Sequence, residues 1–235
     1  MTRSLAVRRS GVPSGIIALP VRTRLIRHGD DLGEVIGAAV RGIAGTGDVV
    51  AISETAVAIA QGAFVAAEHV RPSKLAYLLA RRAGALATVN QPESMQLVID
   101  DVGVPKTLYA VAMHVVGLLR GKRGVFYEIL GPAITAIDGY TGTLPPYERA
   151  IVLAPLQPDE TSEAIATRVG CGIAIVDAND LERAVVLGAS QGVDRELVER
   201  SLLDNPHGNG DEQTPVVVLK WRGHGQNPLI AEAAS

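Results

Sequence analysis

The stretch PDETSEAIATRVGCGIAIVDAND, residues 158–180, decides the fold class, because it reads as a helix running directly into a strand. Pro158 stands at a first helical position, Asp159 and Glu160 put negative charge where the helix dipole is positive, and Gly170 supplies the stop. IAIVD then gives an apolar run of strand length. The same alternation recurs along the chain. GIIAL (15–19) reads as a strand; Asp30 and Asp31 open a helix through DLGEVIGAAVRGI that ends near Gly45; DVVAIS (48–53) is a strand buried on both faces.

The middle is helical. Pro72 begins PSKLAYLLARRAG, with Leu75, Leu78 and Leu79 on one stripe and Gly84 as its stop, and Pro92 and Pro105 open two more such segments. AITAID (133–138) and AIVLAP (150–155) read as strands, followed past residue 180 by a strand at AVVLGAS, an amphipathic helix VDRELVERSLL and a strand PVVVLKW. Strands alternating with helices give an α/β (α+β) chain. With no repeat, low-complexity tract or linker-like composition break, residues 15–222 read as one compact unit, between a loose start at 1–14 and a tail at 223–235.

Composition narrows the function. Of 235 residues 47% are hydrophobic but only 3% aromatic, so Val, Ile, Leu and Ala must fill the core. The net charge of −3 is spread without a basic block, which argues against nucleic acid as a partner. Cys171 is the single cysteine, so no intrachain disulfide or thiolate metal cage can form, and a small inert hydrophobe is its reading. No leader-like or membrane-spanning pattern is evident, and the expectation is a cytoplasmic protein without a membrane partner.

Several chemistries lack their motif. GLLRGKRG (117–124) has the wrong spacing for a phosphate loop, GIAGTGD (42–48) follows a helix instead of preceding one, and no H-E-x-x-H or G-x-S-x-G occurs. What remains is a pair of apolar runs that each end in aspartate, Asp138 and Asp177. Such residues are either turn-formers and helix caps or carboxylates delivered to a cleft for Mg²⁺ or Mn²⁺, hard cations that prefer oxygen ligands. NPHGNGDEQTP (205–215) is a third polar segment: a surface loop, or a cradle whose backbone N–H groups hold phosphate while its acids bind a second cation.

Taken in order, ALPVRTRLIRHGDDL (18–32), GDVVAISET (47–55), AIDGYTGTLPPYERAIVLAPLQPDETSEAI (136–165), VGCGIAIVDAND and HGNGDEQTPVVVLKW resemble the coenzyme F420-0:L-glutamate ligase family. YEILGPAITAIDGYTGTLPPYERAIV and the 205–215 loop also resemble a divergent bacterial branch of it. The resemblance implies a fold of two entwined halves, with mixed or antiparallel sheets flanked by helices, usually as a homodimer. It implies a ligase that uses GTP (or ATP) and Mg²⁺ or Mn²⁺ to join L-glutamate to a carboxylate-bearing small molecule. On this chain it places metal ligands at Asp138, Asp177, Asp211 and Glu212. Nucleotide contacts fall at Leu25, Glu54, Thr55, Thr141, Gly208, Asn209, Gly210 and Gln213. It designates no catalytic side chain.

The chain also departs from the pattern. Glu54 stands where the family has serine, Ile59 where it has lysine, Ala178 where it has threonine and Thr141 where it has asparagine. Losing an ammonium and gaining a carboxylate near phosphate works against nucleotide binding. The other reading is therefore a non-catalytic binding member of the same fold.

Overall fold

The computed structural model describes residues 15–83, 89–122, 124–131, 134, 137, 144–179, 183–208, 212–223 and 226–230. The expected loose start, the Gly84 stop and the end of the tail lie outside them. In chain order the elements are β1 (Ile16–Val21), α1 (Leu32–Val40), β2 (Val49–Ser53), α2 (Glu54–Gln61), β3 (Phe64–Ala66), α3 (Lys74–Ala83), α4 (Pro92–Val102), α5 (Val104–Leu119), α6 (Val125–Leu130), β4 (Ala150–Val152), α7 (Pro158–Val169), β5 (Gly172–Asn179), β6 (Arg183–Ala189), α8 (Arg195–Ser201) and β7 (Val216–Trp221). This is the α/β class expected. Packing divides the chain into two units, residues 1–62 with 155–235, and residues 63–154.

The first unit is built on a five-stranded sheet in the order β1-β7-β2-β5-β6. Only β2 and β5 are parallel; the other neighbours run antiparallel. Side chains alternate between two faces with period two. Val50, Ile52, Ile173, Ile175, Val216 and Val218 meet α1, α2 and α7 through Ile36, Val57 and Ile165 on one face. Val49, Ala51, Ala174, Val176, Val217 and Leu219 meet α8 and Leu229 on the other. Cover on both faces explains why β2 carries apolar residues without polar alternation.

Local chemistry sets the ends of these elements. Asp31 caps α1 by accepting from the Glu34 N–H at 3.1 Å, and its carboxylate pairs with Arg168 of α7. The helix stops at Val40, short of the Gly45 expected, because Gly42 turns to a φ of +72° and the Ile43 and Ala44 N–H groups fold back onto the Val40 carbonyl. Cys171 is buried beside β5, and desolvation pushes its thiol up to about 11, consistent with an inert hydrophobe.

The edge strand β6 has backbone donors that no further strand can take, and acidic side chains take them instead. Asp159 accepts from the Ala189 N–H at 2.9 Å and Glu199 from Val186 at 2.9 Å, and just past the strand Glu163 accepts from Gln191 at 2.8 Å. A Cβ at Gly188 would lie 2.2 Å from the Pro158 carbonyl carbon, so α7 crosses this edge only because residue 188 is glycine.

The second unit is helix on helix, with a two-stranded β3-β4 sheet. Its core gathers Ala76, Leu79 and Ala80 of α3, Met95, Val98 and Ile99 of α4, Ala110 of α5, Phe126 and Leu130 of α6, and Ile151 of β4. Of the leucine stripe read from sequence, Leu79 is buried and Leu75 packs partly against this core, while Leu78 is 48% exposed and Ala76 and Ala80 complete the buried face. AITAID is not a strand at its described residues either. Ile134 is helical, and the Ile137 N–H donates to the Ile134 carbonyl at 3.2 Å. Both isoleucines are buried in this core, three residues apart. No single helix among the described residues is long and apolar enough to cross a membrane.

Candidate functional site

One end of the five-stranded sheet collects segments that are far apart in the chain. Register places Val21 opposite Val216, Ile52 opposite Val216 and Ser53 opposite Val176, so four neighbouring strands reach the same level there. Neighbouring strands lie about 4.8 Å apart, so those four ends span roughly 15 Å. Beyond that level the Thr23 N–H donates to the Gln213 carbonyl at 3.1 Å, and the Ser53 N–H to the Pro215 carbonyl at 2.8 Å. Four of the segments singled out from sequence are thus drawn together: the turn after β1, the start of α2, the end of β5 and the loop before β7. The carboxyl ends of the parallel pair β2 and β5 both point here, where open α/β sheets bind ligands.

Asp177 sits one residue past the Ser53 level, inside β5 and paired with Val185 of β6. The strand continues to Asn179, so Asp177 is neither a helix cap nor a residue beyond the strand end. By alternation it projects to the face of Ile173 and Ile175, the face that α2 covers. Burial raises its carboxyl above the ordinary carboxylate value, and the charge of Arg183 opposes that only in part. Ala178 points the other way and packs with the opposite face's core, so a threonine hydroxyl at 178 would not share Asp177's face.

The 205–215 loop is pinched at its neck. Thr214 Oγ1 donates to the His207 carbonyl at 2.5 Å, while His207 Nδ1 lies 3.3 Å from the Thr214 carbonyl. Burial depresses the His207 imidazole to about 4, so the ring is neutral at physiological pH and Nδ1 can donate. His207 and Thr214 were not singled out from sequence. Gly208 is left-handed at a φ of +75°, and the Glu212 carboxylate folds against it, 2.9 Å from where a Cβ would stand. Gln213 is also left-handed, with its carbonyl taken by Thr23.

Leu25 lies half-buried in a turn that Arg24 and Asp30 close with two hydrogen bonds, at 2.6 and 2.9 Å. That contact holds the Asp30 carboxyl below its ordinary value. Glu54 and Thr55 are half-buried in the first turn of α2, where Ser53 makes no side-chain cap. Ile59 is buried in the same helix, so an apolar side chain fills the place of the family's lysine.

Asp138, Thr141, Asn209, Gly210 and Asp211 lie outside the described residues, so the meeting of Asp138 with Asp177 is not among the described geometry. Among the described residues no cluster of three metal-ligating side chains forms. The chemistry of the donors is of the kind a hard divalent cation takes: Asp177 offers a desolvated carboxylate whose charge Arg183 compensates only in part, and Glu212 is a second, exposed carboxylate.

The family model described as F420-0:Gamma-glutamyl ligase matches residues 20–194, which include α1, α2 and Asp177. The chain belongs to this family. It is also 26% identical to the Coenzyme F420:L-glutamate ligase of Methanopyrus kandleri, over 89% of this chain and 88% of that protein. Both matches run through both units, and the family supports an amide-ligase role. The further resemblance to a bacterial branch of the family is not borne out by them.

Proposed function

We propose that the chain is a metal-dependent, nucleotide-using amide ligase that joins the amine of L-glutamate to a carboxylate-bearing small molecule, and that it works as a homodimer. The acceptor suggested by its relative's name is coenzyme F420 itself. The observation that carries this reading is the half-buried Asp177 at the sheet end where the α2 start and Gln213 also arrive. Asp177, with Asp138, Asp211 and Glu212, would hold Mg²⁺ or Mn²⁺; such a cation neutralises charge on the β- and γ-oxygens of GTP or ATP.

A carboxylate is a poor electrophile, so its oxygen first takes the γ-phosphoryl group and releases the nucleoside diphosphate. The glutamate nitrogen then attacks the acyl carbon, loses a proton and expels phosphate. Leu25, Thr55, Thr141, Gly208, Asn209, Gly210 and Gln213 would orient the nucleotide, with the uncapped N-terminus of α2 as a further donor to phosphate. Calorimetric titration of Mn²⁺ and of GTP or ATP into the wild type and Asp177→Asn tests the site. Binding to the wild type alone is expected; equal binding to both proteins rejects it.

A second reading, a binding member without turnover, is favoured by Glu54 in the first turn of α2, where its carboxylate repels phosphate, and by buried Ile59. Incubation with nucleotide, L-glutamate and cell extract discriminates the two. A small molecule that gains one glutamyl residue by mass spectrometry eliminates the non-catalytic reading.

A further inference from the structure

The loop before β7 has two anchored stems. The first leaves α8 through Leu202, which is fully buried and whose carbonyl accepts from the Asn205 N–H at 2.9 Å; the Gly208 N–H then donates to the Asn205 carbonyl at 3.1 Å. The second is fixed to the sheet end by the Gln213 and Pro215 carbonyls, which accept from the Thr23 and Ser53 N–H groups. Two contacts between His207 and Thr214 join the stems. The Thr214 hydroxyl donates to the His207 carbonyl, and His207 Nδ1 faces the Thr214 carbonyl. Just inside this clasp the Glu212 carboxylate comes back over left-handed Gly208.

Histidine is a costly residue for this place. The ring is buried, and its Nε2 has no hydrogen-bond partner. A carbonyl only accepts, so the hydrogen of the neutral ring must sit on Nδ1, which leaves Nε2 as a buried lone pair. A buried acceptor without a donor costs free energy, and a leucine or methionine would fill similar space without that cost. What histidine offers in return is the Nδ1–H that reaches across to the other stem.

We infer that His207 is a positioning residue for the candidate site: its Nδ1–H and the Thr214 hydroxyl hold the two stems together, and thereby set the affinity of this loop for a nucleotide bound with its cation. A loop held in one conformation loses less conformational entropy on binding than one whose stems can separate. His207 acts through the placement of Glu212 and Gln213, not on the reacting atoms. The inference takes its ligand from the ligase reading and goes beyond it by assigning two residues to the control of that loop.

Calorimetric titration of GTP or ATP with Mn²⁺ into variants of the full chain tests the clasp. His207→Leu and Thr214→Val each remove one bond and should raise the dissociation constant about 5- to 10-fold, the weight of one hydrogen bond. His207→Asn, whose amide N–H falls where Nδ1–H stood, and Thr214→Ser should stay near the wild-type value. His207→Gln, whose amide falls where Nε2 stood, should bind as weakly as His207→Leu. The ¹⁵N spectrum of the wild-type imidazole tests the same bond without a substitution, and should show the hydrogen on Nδ1 at neutral pH. A ring protonated on Nε2 instead, unchanged affinity in His207→Leu, or rescue by glutamine and not by asparagine would each overturn the inference and leave the ligase reading standing. A wild type that binds neither nucleotide, with its ring in the expected form, would overturn the ligase reading and with it the ligand named here.

Discussion

IAIVD at 173–177 and ITAID at 134–138 are both short runs of small and β-branched residues that end in aspartate, but the two units use them differently. In the first unit all four apolar residues before Asp177 are buried, because the sheet has a covered face on either side. In the second, Ile134 and Ile137 both go into a core made of helices, with the Ile137 N–H on the Ile134 carbonyl, where an extended chain would send residues three apart to opposite faces. A short apolar run thus takes the period of the surface it is offered. The comparison also bears on chemistry: the first string places its aspartate at the sheet end, where three other polar segments arrive.

The largest expected effect tests that placement. Asp177→Asn should lower ligase turnover on the order of 100-fold or more, the size of loss seen when one preorganised group that stabilises transition-state charge is removed. It should also raise the thermal midpoint of the metal-free protein. The sign follows from burial. The folded-state carboxyl lies above its unfolded value, so the folded form holds its proton more tightly, and stability falls as pH rises from the unfolded pKa through the folded one. Asparagine removes that penalty at neutral pH, and calorimetric melting with and without the substitution measures it.

Core truncation sharpens the contrast between the two strings. Ile134→Ala and Ile175→Ala should each cost about 2 to 5 kcal/mol by denaturant titration, since both side chains are essentially fully buried. A negligible cost at Ile134 would remove it from the helical core. His207 comes next. Its folded value of about 4 lies below the ordinary 6.5, so stability is complete above pH 6.5 and declines as pH falls toward 4, by roughly 3 kcal/mol in all. In His207→Gln that acid decline should flatten, which urea midpoints at pH 4 and pH 7 would reveal.

A smaller effect is expected at Gly62. It ends α2 with a φ of +73°, and a Cβ there would lie 2.7 Å from His28 Nε2. Gly62→Ala should cost about 1 to 2 kcal/mol, while the movable exposed imidazole absorbs part of the clash. A neutral result would mean that the turn after β1 is not held against the end of α2.

The sequence made most elements legible because their end signals are local. Asp31 and Asp194 cap helices, Pro92 and Pro158 open them, and Gly170 closes one, each acting within a few residues of the helix end. What failed depended on distant partners. Nothing in AITAID says that the surface awaiting it is helical, and nothing in KLAYLLARRA says that Ala76 and Ala80, not Leu78, face inward. The candidate site divides in the same way. Asp177 and the 205–215 loop could be singled out by residue type, and Glu54 and Thr55 by the family resemblance, but their arrival at one sheet end follows from the order β1-β7-β2-β5-β6, which no local signal encodes. The His207–Thr214 clasp was missed because each residue alone is unremarkable and only the loop's closure pairs them.

The central claim is that Asp177 is held at a cost in the metal-free protein so that it can grip a divalent cation. Thermal unfolding of the wild type and Asp177→Asn, each with and without saturating Mn²⁺, tests it most directly. Mn²⁺ at about 100 times its dissociation constant should raise the wild-type midpoint by about 5 to 10 °C, while Asp177→Asn starts higher and does not respond. Equal shifts in both proteins, or a variant that melts below the wild type before any metal is added, would contradict the account.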